Sequence, residues 1–217
     1  IAMIYVICAA LNGRAIYDQS KGYVKDKSSY VETLNFEDRL LNVNEWISTD
    51  SEWVDKKLIS NGILRNAEVH YAVAEKHSCY FIAGSVTFIM MVLAFYWRGN
   101  NLHRVVGLTV ITIALACLII GIITPMLEIS AYSTNLTIPL KFSVPLIGEI
   151  DIPDKVFEGR MYYYYQSKSI IELINVLFES KNYVVALSIL GFSVLVPMIK
   201  LGLSALLLLI RPFRDSR

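Results

Sequence analysis

Long apolar runs alternate with polar segments along this chain, and three of the runs are long enough to cross a lipid bilayer. They cover residues 79–97, 105–129 and 183–210. A membrane-crossing helix needs about 20 mostly apolar residues, and each of these runs meets or nearly meets that length. A further apolar run, residues 1–11, is about half as long, and we interpret it as a truncated first transmembrane helix. The pattern therefore predicts an all-α integral membrane protein with a four-helix transmembrane bundle.

The distribution of arginine predicts the orientation of this bundle. The short link 98–104 holds two arginines and no acid, and the tail 211–217 holds three arginines against one aspartate. Because positively charged loops stay in the cytoplasm, we expect this turn, this tail and the amino terminus to be cytoplasmic. Trp97 and Arg98 then lie at the inner membrane interface, where aromatic and basic residues are enriched.

The first long polar segment, residues 12–78, is predicted to be extracytoplasmic. Apolar positions in its second half predict a helix that continues into the second span; they are Val54, Leu58, Ile63 and Val69. His70 and His77 are seven residues apart, so one helix face can hold both. A metal site would need a third ligand, and Glu75 is a candidate only because it is near in the sequence. We therefore interpret the two histidines as solvated interface residues.

The second extracytoplasmic segment, residues 130–182, alternates apolar and polar positions over residues 137–152. This alternation predicts two short strands, with a hairpin turn at Gly148 and Glu149. Three prolines interrupt or flank the stretch: Pro139, Pro145 and Pro153. Since proline is confined to edge strands, the pattern indicates a small β-ribbon.

Four consecutive tyrosines follow the ribbon: Tyr162, Tyr163, Tyr164 and Tyr165. Aromatic rings with one polar tip favour the headgroup zone, which predicts a membrane-interface position, with packing against the helix bundle as an equal alternative. Ser169 and Glu172 then match a capping box, which predicts a short helix ending near Glu179. The apolar face of that helix indicates that it lies flat on the membrane surface.

Two spans carry nearly the same motif, Pro125-Met126-Leu127-Glu128 and Pro197-Met198-Ile199-Lys200. A charge at membrane depth costs about 2.5 to 3.5 kcal/mol on insertion scales, so such residues usually have a function. Both prolines are predicted to kink their helices, and Ser193 is placed to face the second kink. The ammonium group of Lys200 either reaches the inner headgroups or forms a cationic site in a cavity.

Composition excludes several other classes of protein. Charged residues make up 18% of the chain, against about 25% in soluble domains. The three cysteines form no CxxC pair and no loop disulfide framework, so we expect no zinc ribbon and no bound metal. The chain has no catalytic motif, no phosphate-binding loop and no basic stripe. We therefore expect no enzymatic activity, no cofactor and no nucleic-acid binding.

The last span and the helix before it resemble the paraquat-inducible protein A family of bacterial inner-membrane proteins. The resemblance is carried by the helix after Ile170, by Tyr183-Val184-Val185-Ala186-Leu187 and by the stretch from Gly191 to Leu201. Thr124-Pro125-Met126 is similar to an earlier proline motif of the family, and the resemblance covers residues 106–210. The CxxC zinc ribbons of many members are absent from this sequence, and residues 12–78 have no counterpart in the family core. Many members continue with a further pair of spans where this sequence ends, at Arg217, so we expect either a truncated chain or a partial resemblance.

The resemblance implies transport of phospholipid between the two membranes of a Gram-negative envelope, together with a periplasmic partner of the mammalian-cell-entry type. On this interpretation a lipid-binding cavity in the inner membrane is shaped by Pro125, Glu128, Ser193, Pro197 and Lys200. The alternative is a non-catalytic tetraspan accessory or scaffold subunit of a larger membrane complex. The lack of paired loop cysteines counts against the disulfide-bonded members of that class.

Overall fold

A computed structural model describes residues 2–42, 46, 51–98, 102–139, 141–144, 148–151 and 154–210, of which residues 51–54, 141–144 and 148–151 are described by their backbone. The chain forms two compact units. Unit 1 contains residues 1–22, 69–127 and 168–217, and unit 2 contains residues 23–68 and 128–167. The predicted tail 211–217 and the middle of the predicted turn 98–104 lie outside the described residues.

Helices account for most of the described chain. They are α1 (Ala2–Thr33), α2 (Phe36–Leu41), α3 (Ser51–Tyr96), α4 (Leu102–Ile123), α5 (Ile170–Glu179), α6 (Tyr183–Ile189), a π-helical segment (Leu190–Leu195) and α7 (Val196–Ile210). The strands are β1 (Leu127–Ile138), β2 (Lys141–Val144), β3 (Gly148–Asp151) and β4 (Lys155–Lys168). The fold is thus mainly helical with a small sheet content, which confirms in part the predicted helical membrane protein with a β-ribbon in its second polar segment.

Three helical stretches are long and apolar enough to span a membrane: Asp55–Tyr96, Leu102–Ile123 and Tyr183–Ile210. They are compatible with a multi-pass membrane protein. The helix α1 is not among the candidate spans of the described chain, because polar residues follow Leu11 while the helix continues to Thr33. The predicted count of four transmembrane helices is therefore not confirmed, and the apolar run 1–11 is only the first third of a longer helix.

The third predicted span ends earlier than the apolar run suggested. The helix α4 stops at Ile123 instead of residue 129, and β1 begins at Leu127. The residue before a proline avoids the α conformation, so Thr124 and Pro125 terminate the helix rather than kink it. Glu128 consequently lies on a strand in unit 2, where its Oε2 atom accepts a hydrogen bond of 3.3 Å from Tyr23.

The last span is helical from Tyr183 to Ile210, as predicted, with a π-helical segment in its middle. The backbone N–H of Val196 donates to the carbonyl of Gly191, five residues earlier. Pro197 follows at once and has no N–H to donate, so the local change of helix type accommodates the proline. Ser193 lies inside this segment and is half-buried.

The predicted ribbon is present, with a different turn. The strands β2 and β3 pair antiparallel, with Lys141 opposite Asp151 and Val144 opposite Gly148. Gly148 and Glu149 therefore lie in a strand instead of the turn, and residues 145–147 and 152–153, with Pro145 and Pro153, lie outside the described residues. A second two-stranded sheet pairs β1 with β4.

The predicted capping box is confirmed at the start of α5. The backbone N–H of Glu172 donates to Ser169 Oγ at 3.2 Å, and the N–H of Ser169 donates to Glu172 Oε2 at 2.9 Å. The helix ends at Glu179, as the sequence indicated. Its position flat on a membrane surface stays a prediction.

Unit 1 is held together by a seam between α1 and α3. The ring of Tyr5 stacks on Phe88 with centroids 4.5 Å apart, inside a buried apolar cluster. Three polar pairs repeat along the two helices: Tyr5 Oη with Ser85 Oγ at 2.9 Å, Asn12 Oδ1 with His77 Nδ1 at 3.0 Å, and Gln19 Oε1 with His70 Nδ1 at 2.6 Å. Since the pairs recur every seven residues of α1, they fix its register. His70 and His77 are interhelical contacts rather than solvated residues.

Candidate functional site

A cavity of about 440 Å³ lies in unit 1 between α1 and α4. We call it the α1–α4 groove. Seven residues of α1 line it: Tyr5, Val6, Ala9, Ala10, Gly13, Arg14 and Tyr17. Six residues of α4 form the other side: Thr112, Leu115, Ala116, Ile119, Ile120 and Ile123.

The sequence produces this groove by placing small residues on one face of α1. Ala9 and Ala10 are adjacent, and Gly13 follows them by four and three residues. All three therefore lie on one side of α1, on neighbouring turns. A Cβ atom at Gly13 would lie 3.0 Å from Cδ1 and Cγ1 of Ile120, so glycine permits the close approach of the two helices there. The small side chains leave space on the groove side that larger residues would fill.

The two helices run in the same direction along the groove. Tyr5 and Ala9 belong to a cluster that packs against Ile113 and Ala116, whereas Gly13 meets Ile120 further along. The stretch of α1 from Tyr5 to Tyr17 therefore lies alongside the stretch of α4 from Thr112 to Ile123. At a rise of about 1.5 Å per residue, the groove is about 18 Å long.

The two ends of the groove differ in chemistry. The walls are apolar, and Arg14 is the single charged residue among the residues described as lining it. Arg14 and Tyr17 lie towards the end where α4 terminates at Ile123. The Nε atom of Arg14 is 3.7 Å from Asp18 Oδ2, and their side chains are 82% and 59% exposed. An ion pair this exposed is weak, so the guanidinium keeps donors available for another anion.

Lys21 continues this basic side of α1. Its Nζ atom lies 4.8 Å from the centre of the Tyr17 ring and 3.8 Å from Glu172 Oε1. The Tyr17 hydroxyl, more than the Glu172 carboxylate, raises the pKa of Lys21 above its ordinary value. Lys21 is therefore charged throughout the neutral range.

An apolar groove with a cationic end suits an elongated amphipathic molecule. Its walls can cover a hydrocarbon chain, and the guanidinium can hold an anionic group at the end of that chain. Within the part of the chain that the structure describes, no group of three or more His, Cys, Asp or Glu residues could hold a metal ion.

The residues predicted to shape a cavity are elsewhere. None of Pro125, Glu128, Ser193, Pro197 and Lys200 lines the α1–α4 groove. Ser193, Pro197 and Lys200 lie on successive turns of the last span, where Lys200 is exposed, and Pro125 is half-buried after α4. Glu128 belongs to unit 2. The structure does not bring these residues together as one site, and their roles stay predictions.

The four tyrosines lie on β4 in unit 2. Tyr162 is buried, with its ring centre 5.8 Å from that of Tyr30 and 5.3 Å from that of Tyr132. Tyr163 and Tyr164 are each 48% exposed. Tyr162 is thus a core residue of unit 2, and a membrane-interface position for the exposed pair stays a prediction. Trp97 and Arg98 are exposed after α3, where their predicted interface role is equally untested.

A smaller cavity of about 290 Å³ borders these tyrosines, the end of α1 at Ser28 and Glu32, and Asn35 just before α2. The hydroxyl of Tyr165 is buried and has no hydrogen-bond partner in the described part of the chain. Burial, followed by the nearby Glu128 carboxylate, raises the pKa of Tyr165 above its ordinary value. The phenol therefore stays neutral, which fits a role in packing.

Sequence reasoning missed the groove because it treated residues 1–11 as a truncated span and residues 12–78 as a separate outer segment. The available signal was the cluster of small residues at Ala9, Ala10 and Gly13 in a helical pattern. No protein-family model, curated protein or solved structure matches this chain.

Proposed function

We propose that this protein is a multi-pass membrane protein that binds phospholipid in the α1–α4 groove, as a component of a system that transfers lipid between membranes. The observation that carries the proposal is the groove itself, which is apolar along its walls and cationic at one end. It lies in unit 1, the unit that contains α4 and the last candidate span.

The dimensions favour a hydrocarbon chain as the occupant. A cavity of about 440 Å³ is within the range of small-molecule sites, and a groove about 18 Å long suits an extended chain. Burying apolar surface gains about 25 cal/mol per Å² in water. Inside a bilayer that gain is largely absent, so the groove would exchange lipid with the surrounding membrane rather than retain it.

The wider role comes from the resemblance to the paraquat-inducible protein A family. The resemblance implies a bacterial inner membrane, and the arginine distribution predicts an amino terminus in the cytoplasm. Apart from Glu128 and Ile129, unit 2 consists of residues from the two segments predicted to be extracytoplasmic. Those segments would then be available to a periplasmic partner of the mammalian-cell-entry type. In this role the chain binds and releases lipid without chemical change, so it is not an enzyme.

The test is native mass spectrometry of the full-length protein, extracted gently from its own membranes. We expect bound phospholipid on the wild-type protein. Ala10→Phe places an aromatic ring in the groove and should remove most of that lipid, because Ala10 is an exposed residue of the groove wall. Ala83→Phe is the matched control, since Ala83 is an exposed alanine of α3 outside the groove.

Two results would contradict the proposal. Equal lipid occupancy in wild type, Ala10→Phe and Ala83→Phe would place the lipid on the general membrane surface of the protein. A lipid-free protein that copurifies in fixed stoichiometry with a larger complex would favour the scaffold function instead.

A further inference from the structure

We propose that the groove takes an acyl chain from the extracytoplasmic leaflet and selects lipids with an anionic headgroup, which Arg14 holds. This inference deepens the proposed function and rests on it. It identifies one leaflet, one headgroup class and one residue as the determinant of selectivity.

The length of the groove indicates a single leaflet. The hydrocarbon core of a bilayer is about 30 Å thick, so each leaflet contributes about 15 Å. From Tyr5 to Tyr17 the groove extends about 18 Å along α1. It therefore reaches from one headgroup layer to about the middle of the membrane.

The direction of α4 indicates which leaflet this is. Residues 98–104, which include the start of α4, contain Arg98 and Arg104 and no acid, so the positive-inside rule predicts that the amino-terminal end of α4 is on the cytoplasmic side. The carboxyl-terminal end at Ile123 is then on the opposite side. Since Arg14 and Tyr17 line the groove near Ile123, the cationic end of the groove lies at the extracytoplasmic headgroups.

The chemistry of that end favours an anionic headgroup. The described contacts of Arg14 use its Nε atom alone, at 3.7 Å from Asp18, and the side chain is 82% exposed. The two terminal nitrogens can donate to two oxygens of a phosphate, in the paired geometry that guanidinium groups favour. Tyr17 lines the same end and adds an aromatic ring at headgroup level, where such rings are stable.

The charge selectivity can be measured by competition. The full-length protein is placed in nanodiscs that contain equal amounts of phosphatidylglycerol and phosphatidylcholine, and native mass spectrometry gives the ratio of the two bound lipids. We expect the wild type to be enriched about fivefold in phosphatidylglycerol, the effect of one favourable charge near a lipid surface. Arg14→Gln should bring the ratio close to one. Lys25→Gln, which removes an exposed charge of α1 outside the groove, should leave it unchanged.

The leaflet can be tested with photoreactive phosphatidylglycerols. A diazirine next to the ester should crosslink near Arg14, and a diazirine at the methyl end of the chain should crosslink near Tyr5. The reversed pattern would mean that the lipid enters from the cytoplasmic leaflet, which would overturn the inference.

The outcomes separate this inference from the proposed function. Suppose that Ala10→Phe displaces the lipid, but the wild type shows no preference for the anionic headgroup, or Arg14→Gln retains that preference. Either result would overturn the role of Arg14 and leave the groove as a lipid site. A wild-type protein without bound lipid, or with a helix of another protein crosslinked in the groove, would overturn both.

Discussion

The Nδ1 atom of His77 in α3 lies 3.0 Å from the Oδ1 atom of Asn12 in α1, and this pair is the middle of three polar contacts between the helices. The pairs on either side involve Tyr5 and Gln19 of α1. These contacts hold α1 against α3, while the neighbouring face of α1 forms the groove, and Tyr5 belongs to both. The seam and the groove thus share one helix.

We expect His77→Leu to destabilise unit 1 by about 1 kcal/mol, because the change leaves the Oδ1 atom of Asn12 without its partner in α3. A double-mutant cycle with Asn12→Leu should return a coupling energy of about 0.5 to 1 kcal/mol. The measurement is unfolding of the purified protein in mixed micelles. His103→Leu is the control, since His103 is an exposed histidine on α4. A coupling energy of zero between Asn12 and His77 would mean that the pair contributes nothing to the seam.

A second prediction concerns the closest approach of the groove helices. A Cβ at Gly13 would already lie 3.0 Å from Ile120, whereas one at Gly84 would meet nothing within 4 Å. Gly13→Val should therefore cost about 1 to 3 kcal/mol through overpacking, and Gly84→Val should stay within about 0.5 kcal/mol of wild type. The same unfolding assay measures both variants. Equal stability of the two would show that α1 and α4 do not pack closely at Gly13.

A third prediction concerns Arg39, which is only 1% exposed in unit 2. Its guanidinium donates to the carbonyl of Glu158 at 3.1 Å and to that of Arg160 at 3.4 Å, and lies 5.9 Å from the centre of the Phe157 ring. Arg39→Leu leaves both β4 carbonyls without these donors, so we expect unit 2 to lose about 2 to 3 kcal/mol of stability. Hydrogen exchange of the β4 amides reports this loss locally.

The matched control for Arg39 is Arg65→Leu, which removes an exposed arginine of the same unit. It should leave the exchange of the β4 amides nearly unchanged, since surface substitutions usually act within about 0.5 kcal/mol. If the β4 amides exchange equally slowly in Arg39→Leu and Arg65→Leu, the buried guanidinium of Arg39 does not stabilise the strand.

A fourth prediction concerns the buried phenol of Tyr165. The pKa of Tyr165 is raised in the folded state. The stability that results from this shift is therefore fully present below the unfolded-state pKa of about 10, and it is lost as pH rises through the folded-state pKa. Tyr165→Phe cannot ionise, so the stability of unit 2 should decline less above pH 10 than in wild type. Urea-dependent proteolysis of unit 2 between pH 8 and about 11 measures the difference.

The same substitution should also raise stability at neutral pH by about 1 kcal/mol, because it removes a buried hydroxyl that has no partner among the described residues. Tyr164→Phe is the control, as Tyr164 is about half exposed. A stability profile of Tyr165→Phe that runs parallel to that of wild type above pH 10 would contradict the burial of this phenol.

Much of the helical architecture could be predicted from the sequence, because long apolar runs and capping patterns are local signals. The last span from Tyr183 to Ile210 and the helix that Ser169 begins were both recognised. The end of α4 was predicted wrongly, since the apolar run continues past the point where Pro125 stops the helix. The pairing of β1 with β4 joins distant parts of the chain and leaves no local pattern of its own.

The groove could not be predicted for a similar reason. It requires that Gly13 and Ile120, more than a hundred residues apart, lie against each other. Periodicity shows which face of α1 is small and apolar but not which helix it faces. Pro197 and Lys200 are conspicuous in the sequence because charges and prolines are rare in membrane spans. That local signal does not indicate which side chains meet in space.

Electron cryo-microscopy of the full-length protein, in nanodiscs made from its own membranes, would show directly whether a phospholipid chain occupies the α1–α4 groove. We expect elongated density along Ala10 and Gly13 on one side and Ile119 on the other, with its polar end at Arg14. The density should be absent in Ala10→Phe and retained in Ala83→Phe. A groove filled by a protein helix, or without density in the wild type, would mean that phospholipid does not occupy it.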